Sequence, residues 1–517
     1  KKLDKGDDAI WVPRIPPDDS HIFSWQDDII ECDKKITLPD YIDIIGFIPV
    51  DKLVVRAKTI HDPLLNLVEH WQQDEYAPTK WGTIKAYTKM FEKFFYHEPQ
   101  DFVNNFPELV ILSDSVVLEE HSYMANSNLT PIMATKKNVD STPGYPKFKY
   151  FDTEKDYLEQ CGWGEYLKAV SDIDETVKNR PLWWCFLKNE VLKKKKIMDN
   201  DIRMILCADP VYTRIGAMFE QDQNEKMKQQ TERRAAQVGW TPFFGGIHQR
   251  VSRLIGGGDR FFVETDWTRY DGTLPKPLFW RIRQMRYFFL SNHHKTPQLK
   301  KLYDWYVKNL VEKIILLPTG EVCTVKKGNP SGQYSTTVDN NMCNVWLTHF
   351  EIAYLYWKQH GSLPTLRLLR DNVTMICYGD DRLVSIRKGF INYDTNVVID
   401  MYKNIFGMWV KPENVKVSDD IEGMTFCGLT LVKRSDGRFV GVPNVDKILS
   451  TLENPVRKLP NLESLWGKLV SLRILCENAP NSVKEFLDKQ INTVEEHAAS
   501  ENINLPEVGP DFFSQIW

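Results

Sequence analysis

The order of apolar and polar residues along the chain predicts both helices and strands. After the Gly/Pro loop "GNPSG", apolar side chains recur at Val338, Met342, Trp346 and Phe350, and this i, i+4 spacing predicts a long helix that ends at Gly361. Short apolar runs predict strands in "DRFFVET" and on both sides of "YGDD". The second half of the chain therefore combines strands that end in acidic turns with a long helix.

Other segments carry weaker patterns. Residues 1–60 mix short apolar runs with Pro and Asp, which favours strands and loops, whereas helical spacing over residues 64–98 favours helices. The segment "TFCGLTLVKRSDGRFVGV" predicts a hairpin that turns at Asp436-Gly437. Helices are expected over most of residues 445–500.

Length and composition exclude several classes of protein. At 517 residues the chain is too long for one ordinary core, so about three subdomains or domains are expected. A hydrophobic fraction of 42% and a charged fraction of 26% are typical of a folded globular protein. The net charge of −4 gives no general affinity for polyanions, so a nucleic-acid partner would need a local concentration of positive charge.

The cysteines and the apolar runs indicate the cellular compartment in which the chain is expected. Nine cysteines are scattered between Cys32 and Cys476 without a CxxC pair, which favours reduced thiols in the cytosol over disulfides or a zinc site. No apolar run approaches the roughly 20 residues that a membrane-spanning helix needs. The first residues, "KKLDKGDD", resemble no secretion signal and follow no initiator Met, so we expect a chain cut from a longer precursor or expressed as a fragment.

The stretch "MICYGDDRLVSI" places two adjacent carboxylates, Asp380 and Asp381, inside an otherwise apolar strand pattern. An uncompensated carboxylate in apolar surroundings is costly, and two neighbouring ones repel each other. Gly379 permits the tight turn that would let both side chains face one site. Taken alone, however, this motif is more typical of a solvated hairpin turn.

A second acidic strand end offers a reason for the first. "VETDWTRYD" carries Asp266 and, five residues later, Asp271. If Asp266 lies beside Asp380, their carboxylate oxygens form a site for hard divalent cations. Two such ions, roughly 3.5–4 Å apart, would activate an attacking hydroxyl and stabilise a leaving pyrophosphate.

Small polar side chains cluster where the long helix begins. Thr336, Thr337, Asn340 and Asn341 follow "GNPSG", with Thr336 and Asn340 on one helix face, and Ser331 is expected to cap the helix. Such groups can exchange hydrogen bonds with a ribose, whose 2′-OH distinguishes RNA from DNA building blocks. The motif alone is more typical of a turn and a helix cap.

The segment "LKNEVLKKKKIMDNDIRMI" concentrates positive charge in an acidic chain. It holds Lys188, four consecutive lysines that end at Lys196, and Arg203 ahead of an apolar strand. A run of lysines is most often a solvated face, but a triphosphate also needs such a basic channel. Trp183 and Trp184, just upstream, fit core packing better than stacking on a base.

Taken together and in this order, the motifs resemble those of the RNA-dependent RNA polymerases of positive-strand RNA viruses. They run from "DSTPGYP" through the basic segment, "DWTRYD", "PSGQYSTTVDNN" and "YGDD" to the hairpin "FCGLTLV", over residues 140–442. The wording of "DWTRYDGTLP", "GNPSGQYSTTVDNN" and "YGDDRL" is most similar to astrovirus polymerases. The resemblance implies an α+β fold shaped as a cupped right hand, with fingers, a thumb, closed fingertips, and a palm of antiparallel sheet flanked by helices.

The resemblance also implies domain boundaries and an activity. The fingers would span residues 1–217, the palm 218–305 and 325–434, a fingers insertion 306–324, and the thumb 435–517. The implied enzyme is an RNA-directed RNA polymerase that replicates and transcribes a viral genome. It would add nucleoside triphosphates to an RNA 3′-OH with two Mg²⁺ ions, or Mn²⁺.

Each motif receives a role from the resemblance. Asp266 and Asp380 would be the principal metal ligands and catalytic residues, and Asp381 an outer ligand. Lys416, preferred over Lys411, would protonate the leaving pyrophosphate, although its spacing departs slightly from the commonest pattern. The residues implied to bind the nucleotide are Lys188, Lys196, Arg203, Asp271, Ser331, Thr336 and Asn340. Those implied to guide template and primer are Ser141, Thr142, Gly144, Tyr145, Pro146, Phe426, Cys427 and Gly428, and the "CGL" hairpin departs from the bulkier, more basic picornavirus-like form.

The implied partners are an RNA template and primer, nucleoside triphosphates and other viral replication proteins. Residues 435–517 are short for a thumb with a large priming insertion, so a genome-linked protein (VPg) is expected as a possible primer. The expected location is the host cytoplasm, at membrane-associated replication complexes that the chain joins without spanning the membrane. The alternatives are a reverse transcriptase, which usually places a bulky residue where Asp271 and Asn340 stand, and a non-catalytic RNA-binding scaffold.

Overall fold

The computed structural model describes residues 25–31, 37–50, 60–79, 84–509 and 511–517. The strands in these ranges are β1 (Asp43–Phe47), β2 (Tyr76–Pro78), β3 (Leu182–Leu187), β4 (Val191–Lys193), β5 (Met204–Cys207), β6 (Arg260–Thr268), β7 (Lys313–Leu316), β8 (Glu321–Val325), β9 (Val373–Tyr378), β10 (Asp381–Arg387), β11 (Trp409–Ser418), β12 (Thr425–Phe426), β13 (Leu429–Lys433) and β14 (Phe439–Pro443).

The α-helices in the same ranges are α1 (Ile84–Phe91), α2 (Phe102–Asn105), α3 (Pro107–Glu120), α4 (Glu154–Cys161), α5 (Gly164–Ser171), α6 (Ile173–Thr176), α7 (Lys194–Met198), α8 (Pro210–Lys228), α9 (Gly246–Ile255), α10 (Tyr270–Thr273), α11 (Lys276–Phe289), α12 (Pro297–Val311), α13 (Thr336–His360), α14 (Leu366–Asn372), α15 (Thr395–Met401), α16 (Val445–Leu449), α17 (Leu462–Leu475), α18 (Asn481–Ser500) and α19 (Phe512–Ile516). None of these helices is both long enough and apolar enough to cross a membrane.

Four strands form an antiparallel sheet in the order β11-β6-β10-β9. In β6, Phe261 and Val263 enter the main core, whereas Phe262 packs on the other face with a cluster that includes α9. In β10, Val384 and Leu383 divide between the same two clusters. Apolar clusters therefore cover both faces of these two strands, while their acids lie from the middle of β6 towards its end, at Glu264 and Asp266, and at the start of β10, at Asp381.

The long helix predicted after "GNPSG" is α13, and its predicted end at Gly361 is confirmed. Gly361 adopts a left-handed φ of 77° and donates its N–H to the carbonyl of Trp357 at 2.8 Å. The helix packs against α3, α11 and β9. It therefore runs through the main core and reaches the sheet strand that leads into the acidic turn.

A five-stranded sheet, in the order β1-β8-β7-β3-β5, joins segments that are distant in sequence. Strand β7 is parallel to β3, and the other pairs are antiparallel. Trp183 and Trp184 in β3 are 1% and 7% exposed, which confirms core packing rather than base stacking. Of the strands expected in residues 1–60, β1 is described, while residues 1–24, 32–36 and 51–59 lie outside the described ranges.

The helices expected over residues 64–98 are only partly present. Helix α1 lies there, but Pro63–Leu67 is a short 3₁₀ helix and Tyr76–Pro78 is strand β2. Strand β2 pairs antiparallel with β4, which belongs to the basic segment. This long-range pairing overrides the local helical spacing of the apolar residues.

The C-terminal part of the chain follows its predicted pattern. Strands β12, β13 and β14 form a three-stranded sheet in which Asp436-Gly437 lies at the turn between β13 and β14. Helices α16, α17 and α18 occupy most of residues 445–500, as predicted. Helices α17 and α18 pack against each other around a separate apolar cluster.

Residues 60–79 pack onto these C-terminal helices. Leu65 and Val68 belong to the same buried cluster as Leu469 and Leu487. The backbone N–H of Glu69 donates to the side chain of Gln490 at 2.8 Å, and that of Leu459 donates to Asp62 at 2.8 Å. An N-terminal segment is thus attached to the C-terminal helices by both apolar and polar contacts.

Candidate active site

Asp266, Asp380 and Asp381 line one cavity of about 480 Å³. Asp266 lies near the end of β6, Asp380 in the turn between β9 and β10, and Asp381 at the start of β10. Since β6 and β10 are neighbours in the sheet, their acidic ends meet at the same edge. Gly379 has a φ of 62°, the left-handed conformation that the tight turn requires. The structure therefore brings together the acids that the sequence places far apart.

The carboxylates in this cavity oppose one another's ionisation. The side chain of Asp380 opens on the cavity, and its pKa is raised to about 7, first because the surrounding walls desolvate it and then because of the charges of Asp271, Asp381 and Asp266. Desolvation also raises the pKa of Asp381 to about 6, although a hydrogen bond from the backbone of Cys427 acts in the opposite direction. A cation bound among these groups would relieve the repulsion.

The set of ligand atoms in the cavity suits a hard divalent cation. The carboxylates that line it are Glu264, Asp266, Asp380, Asp381 and Glu413. Across the ranges that the structure describes, no three His, Cys, Asp or Glu side chains are already grouped as a metal site. Asp266 and Asp380 fit as ligands that face a shared space. Asp381 fits an outer position, because one of its oxygens accepts the Cys427 N–H at 2.7 Å.

Two asparagines of helix α13 hold the acidic turn between β9 and β10 by hydrogen bonds. Asn341 Oδ1 accepts the backbone N–H of Gly379 at 2.6 Å, and Asn344 Nδ2 donates to the carbonyls of Gly379 and Asp381 at 3.0 and 3.3 Å. Sequence reasoning grouped Asn341 with ribose-binding residues and missed Asn344. The signal that could have found them is the i, i+3 spacing of these two asparagines on one face of the helix.

Asp271, in α10, accepts two side-chain hydrogen bonds from the start of α13 and the loop before it. Ser331 Oγ donates to Asp271 Oδ2 at 2.7 Å, and Asn340 Nδ2 donates to Oδ1 at 2.8 Å. The hydroxyl of Thr336 does not join this group but donates to the carbonyl of Pro330 at 2.9 Å. Three of the four predicted ribose-binding residues are therefore in direct contact, and Thr336 shapes the loop.

The expectation that Ser331 caps the long helix is wrong. Helix α13 begins at Thr336, and the residue before it, Ser335, makes no capping hydrogen bond with its side chain. The Ser335 hydroxyl instead contacts Glu220, while Asn224 donates to it at 2.9 Å. Ser331 lies in the loop before the helix, and its hydroxyl donates to Asp271 instead.

The basic segment lies within electrostatic reach of the acids. Lys196 lowers the pKa of Asp266, against the stronger effect of burial, which raises it. Arg203 pairs with Glu190 through both carboxylate oxygens, with Nε 2.7 Å from Oε1, and this pairing raises the pKa of the guanidinium. Lys188 Nζ lies 3.5 Å from the same glutamate. Sequence reasoning missed Glu190, the acid inside the lysine-rich run.

Both candidate general acids lie on β11. Lys416 lines the cavity, and its Nζ donates to the carbonyl of Gly423 at 2.8 Å. Lys411 lies over the ring of Trp409, 5.2 Å from its centroid, and lowers the pKa of Asp266 less than Lys196 does. The strand is irregular between Val410 and Val415, opposite the end of β6. Of the two lysines, Lys416 is the one that lines the cavity.

In the "DSTPGYP" loop, the Tyr145 side chain is not accessible to a template. It is 2% exposed, and its hydroxyl donates to Asp28 Oδ2 at 2.6 Å. Gly144 is also buried, with a φ of 71°. Tyr145 and Gly144 therefore fix the loop, and its partly exposed members are Ser141, Thr142 and Pro146.

In the "FCGL" hairpin, only the turn is accessible. Phe426 is 1% exposed and packs against Trp240, with ring centroids 5.4 Å apart. Cys427 and Gly428, with φ of 50° and 74°, form the two-residue turn between β12 and β13. A primer contact at this hairpin is therefore expected from Cys427 and Gly428 rather than from the Phe426 ring.

The acidic sheet edge, the Asp271 group and the basic segment together are typical of an enzyme that joins nucleotides. Comparison with known families identifies the same class of protein. The family described as viral RNA-dependent RNA polymerase matches residues 39–491. The chain belongs to this family and is an RNA-directed RNA polymerase.

The relatives are astrovirus proteins. The chain is 68% identical over all 517 residues to non-structural polyprotein 1AB of turkey astrovirus 2, and 57% identical over 497 residues, 96% of the chain, to that of turkey astrovirus 1. It is 43% identical over 442 residues, 85% of the chain, to that of human astrovirus-5. The predicted similarity to astrovirus polymerases is confirmed. The chain spans 30–31% of the length of these relatives.

Proposed function

We propose that this chain replicates and transcribes a positive-strand RNA genome by adding nucleoside triphosphates to the 3′-OH of an RNA strand, with release of pyrophosphate. The observation that carries the proposal is the single cavity lined by Asp266, Asp380 and Asp381. The Asp271 carboxylate is close enough to raise the pKa of Asp380. A sugar-contacting group and a metal-binding group therefore lie side by side.

The proposed cofactor is a pair of Mg²⁺ ions, or Mn²⁺. Asp266 and Asp380 would hold them, with Asp381 as an outer ligand, and the ions would lower the pKa of the attacking hydroxyl and stabilise the pyrophosphate. The raised pKa values of Asp380 and Asp381 support this proposal, because burial and, to a smaller extent, the neighbouring carboxylates disfavour their ionised forms, and bound cations would offset both effects.

The basic residues would bind and neutralise the triphosphate. Arg203 and Lys188 both pair with Glu190, which keeps the two cations near each other, and Arg203 is close enough to Asp380 to interact with its charge. Lys196 approaches from the same segment and already interacts with Asp266. Lys416, which lines the cavity, would donate a proton to the pyrophosphate as it leaves.

Asp271, Ser331 and Asn340 would test the sugar for a 2′-OH. Asp271 can accept the hydroxyl proton, and Asn340 and Ser331 can donate to the hydroxyl oxygen. These polar groups favour ribonucleotides, which argues against a reverse transcriptase. The five carboxylates and Lys416 that line one cavity argue against a non-catalytic scaffold.

The proposed architecture is the cupped right hand. The sheet β11-β6-β10-β9 with its helices corresponds to a palm, residues 218–305 and 325–434, and α16 to α18 correspond to a thumb, residues 435–517. The fingers would be residues 1–217 with the insertion 306–324. Two observations support this division: β7 and β8 pair with fingers strands, and residues 60–79 pack on the thumb helices as closed fingertips would.

The accessible residues of two loops are proposed to contact the RNA. Ser141, Thr142 and Pro146 would contact the template, and Cys427 and Gly428 the primer. We propose further that a protein primer of the VPg type can enter the channel, because the described residues 435–509 and 511–517 carry no long insertion between their helices. The proposed setting is a membrane-associated replication complex in the host cytoplasm, shared with other viral replication proteins.

The test is incorporation of a labelled ribonucleotide on a homopolymer template with a short RNA primer, with and without Mg²⁺ or Mn²⁺. We expect incorporation to require the metal and to disappear in Asp380→Asn. The matched control is Asp371→Asn, an exposed aspartate on α14 that pairs with Arg367, which should stay active. RNA binding without incorporation by the wild-type chain would instead favour the scaffold, and preference for deoxynucleotides would favour a reverse transcriptase.

A further inference from the structure

A chain of side-chain amides links a buried carboxylate to Asp271. Gln333 Nε2 donates to Asp339 Oδ2 at 2.7 Å and to Asn329 Oδ1 at 3.0 Å. Asn329 Nδ2 donates in turn to Asn340 Oδ1 at 3.0 Å, and Asn340 Nδ2 donates to Asp271 Oδ1 at 2.8 Å. Gln333 thus donates to both of its neighbours, while Asn329 and Asn340 each accept from one neighbour and donate to the next.

The donor-to-acceptor direction of this series of hydrogen bonds is set at both of its ends. An ionised carboxylate only accepts hydrogen bonds, so Asp339 and Asp271 must both face NH₂ groups. Asp339 is fully buried and is held by Arg283 at 2.8 Å and Arg286 at 2.9 Å, which keep it ionised. The three amides between these two ends, those of Gln333, Asn329 and Asn340, are arranged so that each of these donors meets an acceptor.

Asn329 is the member that determines how Asn340 is oriented. One Asn329 proton is used by the carbonyl of Thr336 at 3.0 Å and the other by Asn340 Oδ1. Asn340 must therefore turn its NH₂ group towards Asp271, where one proton is used and a second can be offered to a sugar hydroxyl. Asn329 is fully buried and Gln333 is 7% exposed, so water does not compete for these bonds.

We propose that Asn329 and Gln333 are positioning residues for ribose selection: they lock the amide of Asn340 in the orientation that donates to the 2′-OH. This inference rests on the proposed polymerase function and names two residues that touch neither substrate nor metal. A role confined to holding the loop before α13 would affect ribonucleotides and deoxynucleotides equally. A role in orienting Asn340 affects the ribonucleotide alone.

The experiment replaces Asn329 by Leu, which keeps the size of the side chain and removes its donors. Single-nucleotide incorporation is measured with CTP and with dCTP, and the ratio of the two kcat/KM values is compared with wild type. We expect the ratio to fall roughly tenfold, the effect of one orienting hydrogen bond, mainly through a higher KM for CTP. Gln333→Met should lower the ratio in the same direction by a smaller factor, because Asn329 keeps its own donors.

The matched control is Asn309→Leu, which makes the same change at a buried asparagine on α12 that bonds to Arg180 and Trp305. Its ratio should equal that of wild type. A wild-type ratio in folded Asn329→Leu would overturn the inference while leaving the polymerase assignment intact. If Asn329→Leu does not fold, an unchanged ratio in Gln333→Met has the same meaning. Failure of the wild-type chain to incorporate CTP would instead remove the proposed function.

Discussion

Asn341, buried on α13, accepts the backbone N–H of Gly379 at 2.6 Å and so ties the long helix to the turn that carries Asp380. The bond matters because Gly379 is in a left-handed conformation that the chain would otherwise leave easily. The helix thereby determines where one of the proposed metal ligands is presented.

Replacement of Asn341 by Ala should loosen the acidic turn. A buried N–H left without its acceptor costs about 1–3 kcal/mol, so urea unfolding should show a loss of that size. Nucleotide incorporation should fall further than the loss of folded protein explains. Asn309→Ala, at a buried asparagine on α12 that bonds to the carbonyl of Trp305, is the comparison outside the cavity. Equal specific activity of folded Asn341→Ala and wild type would contradict a supporting role.

The stability of the metal-free protein should depend on pH through Asp380. Its pKa is about 7 when folded, against an ordinary value of 3.8, so the folded protein holds a proton that the unfolded chain releases between these pH values. The stabilisation is complete below about pH 4 and is lost as the pH rises through about 7. We therefore expect Mg²⁺ to raise the melting temperature more at pH 8 than at pH 5.

Thermal melts with and without Mg²⁺ at the two pH values measure this difference. Asp380→Asn cannot ionise, so its metal-free melting temperature should change less between pH 5 and pH 8. An equal Mg²⁺ shift at both pH values would contradict binding of the ion by these carboxylates.

Asp271→Ala should reduce the preference for ribonucleotides. It removes the acceptor that Ser331 and Asn340 share, and a hydrogen bond to a charged group contributes about 1.5–3 kcal/mol, which corresponds to a loss of roughly tenfold or more in discrimination. Incorporation of rNTPs and dNTPs by the same enzyme preparation gives the ratio. Asp371→Ala, at an exposed aspartate on α14 that pairs with Arg367, provides the control. Unchanged discrimination would remove Asp271 from the sugar-sensing role.

Glu190→Gln should weaken nucleotide binding. The glutamate holds Arg203 through both oxygens and lies near Lys188, so a neutral amide frees both cations to move. We expect the KM for nucleoside triphosphates to rise about tenfold, the effect of a weakened charge-assisted hydrogen bond, with a smaller change in kcat. The control is Glu75→Gln, since Glu75 pairs with exposed Lys193 at 3.4 Å. A KM equal to that of wild type would argue that Glu190 only stabilises the loop.

Patterns within single segments predicted much of the fold and the candidate site. The strands around Asp380 and the helix that ends at Gly361 follow directly from local spacing. The meeting of Asp266 with Asp380 could be inferred because two charged strand ends require a shared counter-ion. In each case a local pattern and a simple electrostatic requirement were enough.

Most other contacts between distant segments could not be predicted from the spacing of residues within one segment. The Ser331 hydroxyl bonds to Asp271 rather than capping a helix, and the Tyr145 ring is buried against Phe148 and bonds to Asp28. Each outcome depends on which loop lies nearby in three dimensions, and no spacing within one segment contains that information. The same is true of strand β2, whose partner lies in the basic segment.

Because residues 60–79 pack on the C-terminal helices, this N-terminal segment and those helices must move together. A swing of α17 and α18 must carry Leu65 and Val68 along, or expose them to water. In the proposed right hand this joins the tips of the fingers to the thumb and encircles the RNA duplex. An RNA strand would have to enter such an enzyme end first, and the enzyme would seldom dissociate before the end of its template.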